Sequence, residues 1–198
     1  LLGVLFLLLL GAELMPANLR LSPLISDADV NFVPEVNQYI RKNGPRDPFR
    51  VVPPTLLRSM PDLELRVPNR SVAWLTLFYR MSGQPLYGIM NGIQYSLDRS
   101  VDHLSTTESE ELWKVCRRLP EPAALDLLAK LNSPMVLALG TMRDPRLQLV
   151  ASFDTRSELK LHAYWLDNTL ARSYFVAGVV RATSRRDALG KFLDPSFP

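Results

Sequence analysis

The sequence predicts a mixed α+β domain behind an apolar N-terminal segment, and three observations carry that prediction. Residues Glu158–Leu193 read strand, turn, strand, cap and helix in succession. A chain of 198 residues that is 47% hydrophobic and 22% charged has the apolar content to fill one ordinary core. The opening stretch Leu1–Ala12 (LLGVLFLLLLGA) carries no charge at all.

That opening stretch is shorter than the roughly 20 residues a helix needs to cross a bilayer. It suits the last turns of a transmembrane helix whose N-terminal part lies upstream, with Glu13 near the membrane surface and Pro16 ending the helix. A signal-peptide core without its basic n-region is the second reading. A buried helix is the third, although a segment built almost wholly of Leu, Val and Phe has no polar face to turn outward. The chain starts without Met inside this run and stops at Asp194-Pro195-Ser196-Phe197-Pro198, so it reads as a fragment. Residues 1–16 are taken as the C-terminal part of a transmembrane helix. Residues 17–198 are taken as an extracytoplasmic α/β domain truncated at its C-terminus.

Elements follow from pattern. Ser22–Val33 has turn chemistry. Pro34–Asn43 reads as a helix, with Pro34 suited to its first position, Val36, Tyr39 and Ile40 on one face, and Gly44 just past its end. Phe49–Val52 is a short strand between prolines. Asp62–Val67 alternates Leu63, Leu65 and Val67 with charged residues, as a half-buried strand does. Ser71–Tyr79, rich in aromatic and aliphatic residues, reads as a strand or an inserted apolar segment. Ser82–Asp102, with Gly83, Gly88 and Gly92, reads as a long irregular connection.

Thr107–Leu119 is the clearest helix. Leu112, Val115, Cys116 and Leu119 form its apolar stripe, Thr107 and Glu110 a capping box, and the charges run acidic to basic along the dipole. Pro122–Leu131 is a second helix. Met135–Leu139 is a continuous apolar run, as expected of a strand covered on both faces. Leu147–Phe153 and Glu158–Trp165 flank Asp154-Thr155-Arg156-Ser157 and form a hairpin. Leu159, Leu161, Ala163 and Trp165 make its apolar side, and Lys160, His162 and Tyr164 its polar side. Ser173–Val180 is a further strand. Ser184, with Asp187 three residues on, caps a helix whose buried face is Leu189, Phe192 and Leu193.

Few residues invite chemistry. The net charge of +3 does not imply nucleic acid. The single Cys116 excludes an internal disulfide framework and cysteine-based zinc, and its place on an apolar stripe marks a core residue. His103 and His162 lack metal-ligand spacing. There is no nucleophile elbow, phosphate-binding loop or dinucleotide fingerprint. Asn69-Arg70-Ser71 is formally a glycosylation sequon. Asp27 with Asp29, and Glu110 with Glu111, read as solvated or capping carboxylates. Asp102 beside His103 is the residue pair a small hydrolase reading would use. Arg185 and Arg186 stand at a helix start, where the dipole disfavours cations; solvated charge is the plainer reading, and a dedicated partner the sharper one. No catalytic, cofactor-binding or metal-binding residue is singled out, and no cofactor is expected.

The tail Tyr164–Phe197 resembles the extracytoplasmic region of bacterial YfhO-like membrane proteins. The resemblance lies in Tyr164 near a strand end, Leu170-Ala171-Arg172-Ser173-Tyr174-Phe175-Val176, Arg185-Arg186-Asp187-Ala188-Leu189, and Phe192-Leu193-Asp194-Pro195-Ser196-Phe197. Looser agreement comes from Leu8–Glu13, from Pro34–Asn43 with Pro48–Val52, and from Leu125–Leu139. Trp165-Leu166 and Ala171 depart from the family's Glu-Asn and Pro. The resemblance implies a polytopic, glycosyltransferase-like parent that moves a sugar from a lipid-phosphate carrier to a cell-envelope polymer. Its catalytic acids are expected in an early loop outside this chain. The implied partners are the membrane and, through the parent, a lipid-linked sugar and an envelope polymer. A secreted or membrane-anchored binding module with a signal peptide is the alternative.

Overall fold

In the computed structural model, which describes residues 32–57, 72–89, 91–97, 106–155, 157–171 and 179–194, the fold is centred on one strand, β2 (Met135–Leu139). All five of its side chains are buried, as a continuous apolar run requires when both faces are covered. Around it lie α1 (Glu35–Asn43), β1 (Val51–Val52), α2 (Pro54–Leu57), α3 (Val72–Met81), α4 (Pro85–Ile89), α5 (Thr107–Cys116) and α6 (Glu121–Lys130). After β2 come β3 (Leu147–Asp154), β4 (Lys160–Leu166) and α7 (Arg185–Leu193).

The sheet has the order β1-β2-β4-β3. β1 runs parallel to β2, with Val51 opposite Met135. The β3–β4 hairpin is antiparallel, and β4 lies antiparallel on β2, with Leu137 opposite Ala163. A bulge between Leu149 and Ala151 shifts the register in β3. The class is therefore mixed α/β, and the expected pairing of Leu147–Phe153 with Glu158–Trp165 is present.

Alternate β2 residues feed two cores. Met135, Leu137 and Leu139 join Leu161, Ala163 and Phe153, covered by Val36 and Ile40 of α1 and Phe78 of α3. Val136 and Ala138 join Val52, Tyr164 and Leu166, covered by Leu56, Cys116, Ala124, Leu125 and Leu128 of α2, α5 and α6. Helices on both faces make a three-layer domain. Gly83 allows one close approach: at φ 68 it lies where a Cβ would come within 2.8 Å of Leu137 Cδ1.

Several expectations are corrected. The segment read as a strand or an inserted apolar segment at Ser71–Tyr79 is helical from Val72 on, in α3. Leu75, Phe78 and Tyr79 recur at helical spacing and all meet the first core, so packing overrides their strand preference. The N-cap of α5 is Thr106, whose Oγ1 accepts from the Ser109 N–H at 3.2 Å, so the capping box on Thr107 is one residue late. Pro34 is the cap residue of α1 rather than its first turn, and the face expected from Val36 and Ile40 also buries Asn37. The connection after Ser82 contains α4 and a bridge from Tyr95 to Val51. Tyr164, placed on the polar side of its strand, is 2% exposed, and its hydroxyl accepts from the Met142 N–H at 3.0 Å. On α7, Ser184 caps as expected by accepting from the Asp187 N–H, but no residue of the helix is fully buried; Phe192 and Leu193 rest half-buried on the second core.

The expected membrane segment at residues 1–16, the loop to residue 31 and the strand Asp62–Val67 lie outside the described residues. So does most of the strand expected at Ser173–Val180, whose last residues Val179 and Val180 are exposed and unpaired with the sheet. Among the described residues no helix is long and apolar enough to cross a membrane.

Candidate functional site

The residues that sequence alone brings to attention are mostly accounted for by structure. Cys116 is 1% exposed in the second core, and burial pushes its thiol up to about 11, so it is a packing residue rather than a nucleophile. His162 Nδ1 lies 2.7 Å from Ser152 Oγ across the hairpin. Partial burial, then the neighbouring Lys160, lower the pKa of its imidazole from the ordinary histidine value and so favour the neutral ring. Asp102, His103, Asp27, Asp29 and Asn69-Arg70-Ser71 lie outside the described residues. Among the described residues no three metal-ligating side chains gather.

The odd placement of arginine at the α7 start has an explanation. Arg185 lies 3.1 Å from Glu108 and 3.1 Å from Glu111 on α5, which offsets the dipole and fastens α7 to that helix. Glu110 pairs with Lys114 at 3.7 Å on α5 itself. A second clasp is Arg146, which donates to Asp144 through Nε and Nη2 at 2.9 Å and also pairs with Asp126 of α6. The guanidinium beside Asp144 holds that carboxyl below the usual carboxylate range. This clasp fixes the loop before β3 against α6.

The arrangement with binding character lies where the chain enters β1 and β2. Two adjoining clefts, of about 240 and about 150 Å³, share Pro48, Phe49 and Gln94. Arg41 and Arg46 line the first and Arg50 and Lys130 the second, against one acidic lining residue, Asp47. Arg41 and Lys42 close α1, where the dipole favours cations. Arg46 and Arg50 have no such reason to be there. Among the described residues no ion pair or side-chain hydrogen bond engages Arg41, Arg46 or Arg50.

The groove floor is braced by backbone. The Arg50 N–H donates to Asn132 O at 3.0 Å, and the Val51 N–H to Gln94 O at 2.8 Å. Asn132 Nδ2 donates to Pro48 O at 3.0 Å. Phe49 packs on Gly44, where a Cβ would lie 2.5 Å from the ring and 2.6 Å from Ile40 O. Exposed cations above a floor braced by backbone hydrogen bonds, with an aromatic ring between them, form a surface suited to an anionic ligand.

No protein-family model, no curated protein and no solved structure matches this chain. The groove was missed in the sequence because its lining residues are spread over 40–51, 92–94, 130–132 and 171. One signal was present: RKNGPRDPFR carries Arg41, Lys42, Arg46 and Arg50 within ten residues.

Proposed function

We propose that this chain is the extracytoplasmic accessory module of a polytopic, glycosyltransferase-like membrane protein, and that it seats an anionic cell-envelope polymer in the groove of Arg41, Arg46 and Arg50. The groove is the observation that carries the reading: unpaired guanidinium groups on a braced rim favour an anion, which relieves their mutual repulsion. The tail adds support. A strand containing Tyr164 is followed by a Ser184-capped helix over Arg185–Leu193, in the order the family resemblance implies. The module covers the membrane-embedded chemistry of its parent and holds the acceptor polymer near it; the parent's lipid-linked sugar and its catalytic acids belong to the membrane portion.

The reading frame upstream of Leu1 tests the parent. A series of apolar spans before Leu1 is expected. A frame that opens with Met and a basic stretch a few residues upstream overturns the polytopic parent and leaves a secreted or anchored binding module. Mass determination of the mature N-terminus then reads cleavage after Ala12 or Ala17 in that second case.

A further inference from the structure

The geometry points to the junction of the two clefts as a sugar-ring subsite, at which Pro48, Phe49 and Gln94 hold a neutral ring between the charged groups of an anionic glycan. This rests on the groove's taking anions, and it adds what must lie between the charges.

Pro48, Phe49 and Gln94 line both clefts, so they mark the place where the clefts meet. Arg41 and Arg46 stand in one cleft and Arg50 in the other. Asp47 offsets one charge of the first cleft. The cations are thus divided between the two ends, and the three shared residues are uncharged. Neither cleft alone, at about 240 and about 150 Å³, reaches the roughly 300–1,000 Å³ of an ordinary ligand site, so a ligand that fills the groove spans both and crosses the junction.

The junction has the chemistry a sugar ring needs. Pro48 is exposed and Phe49 half-buried, with the ring fixed by its packing on Gly44. The proline offers a C–H surface, and the aromatic ring offers the electron-rich face that C–H groups approach. Gln94 is exposed, and among the described residues no ion pair or side-chain hydrogen bond engages its amide. An amide both donates and accepts, as a sugar hydroxyl does, whereas a phosphate or carboxylate oxygen only accepts. A bare polyanion crossing the junction sets charge against Pro48 and Phe49, which strips water from it and gives no partner in return. A nucleic-acid strand presents flat bases, which stack on an open aromatic face. A half-buried ring beside a proline presents a narrower apolar strip, which matches the C–H side of a sugar.

Calorimetric titration of the full chain in detergent tests this. The probes are oligogalacturonate, inorganic polyphosphate and oligouridylate of matched charge, at one ionic strength. Oligogalacturonate is expected to bind at least about tenfold tighter than polyphosphate. Gln94→Ala and Phe49→Leu each weaken oligogalacturonate about fivefold and leave polyphosphate unchanged, while Phe49→Tyr keeps the native affinity. Gln94→Ala guards against a folding defect, because the exposed side chain goes and the backbone carbonyl that accepts from the Val51 N–H stays. Polyphosphate binding as tight as oligogalacturonate, or variants that alter both ligands alike, overturns the sugar subsite and leaves the anion groove standing. Tighter binding of oligouridylate overturns it in favour of a nucleic acid. Absence of binding by all three overturns the groove as well.

Discussion

Asn132 and Arg50 are joined by a 3.0 Å hydrogen bond from the Arg50 amide to the Asn132 carbonyl, which ties the rim of the groove to the turn that launches β2. Asn132 sits in the left-handed region at φ 55, a conformation asparagine tolerates better than most residues. Its side chain then reaches Pro48 O.

Asn132→Ala therefore loses a hydrogen bond and gains backbone strain, together about 2–3 kcal/mol of stability. Asn132→Gly loses the bond but keeps the conformation at ease, and costs about 1 kcal/mol. Urea unfolding of the two variants separates the terms. Equal losses would show that the backbone conformation contributes nothing.

The two aromatic anchors differ in depth. Phe78 is 1% exposed in the first core, whereas Phe192 is half-buried at the edge of the second. Phe78→Ala is expected to cost about 3–5 kcal/mol, and Phe192→Ala a smaller loss, about 1–2 kcal/mol. A Phe192→Ala loss matching that of Phe78→Ala in chemical denaturation would mean that α7 is docked far more deeply.

How much of this was legible in the sequence depended on where the information sits. α1 and α5 follow from local periodicity, β2 from its unbroken apolar run, and the β3–β4 hairpin from the turn residues between two strand-like segments. The α3 segment misled because Trp74, Leu77 and Phe78 belong to residue types that favour strands, while its contacts with the first core are tertiary. Tyr164 misled because the sheet is covered on both faces at that point, so alternation no longer separates inside from outside. Apart from the run of cations at 41–50, the groove was illegible because Gln94 and Lys130 come beside Pro48 and Phe49 only once β1 pairs with β2. The Arg185 partners on α5 were illegible for the same reason.

Cys116 offers a clean probe, since the chain holds one cysteine. With its thiol pushed up to about 11 by burial, it is expected to resist a thiol reagent at pH 8 in the folded chain and to react within minutes in denaturant. Rapid labelling of the native protein would show that the second core opens readily.

His162 sets a pH dependence whose sign follows from its depressed pKa. Folding holds the imidazole below its ordinary 6.5, by burial first and Lys160 second. The unfolded chain therefore binds the proton more readily. The contribution to stability is fully present above pH 6.5 and is lost as pH falls through the folded value. With His103→Gln leaving a single histidine, the ring proton of His162 is expected to titrate below the denatured chain in NMR. A midpoint at or above the denatured one contradicts the assignment.

Binding to polymer addresses the central claim most directly. The full chain is titrated with an anionic envelope polysaccharide and with a neutral polysaccharide of equal length, beside the variant Arg41→Ala/Arg46→Ala/Arg50→Ala. Selective binding of the anionic polymer is expected, weakened more than about tenfold in the variant and less sensitive to salt there. Equal affinity of the native chain and the variant, or equal binding of the neutral polymer, would contradict it.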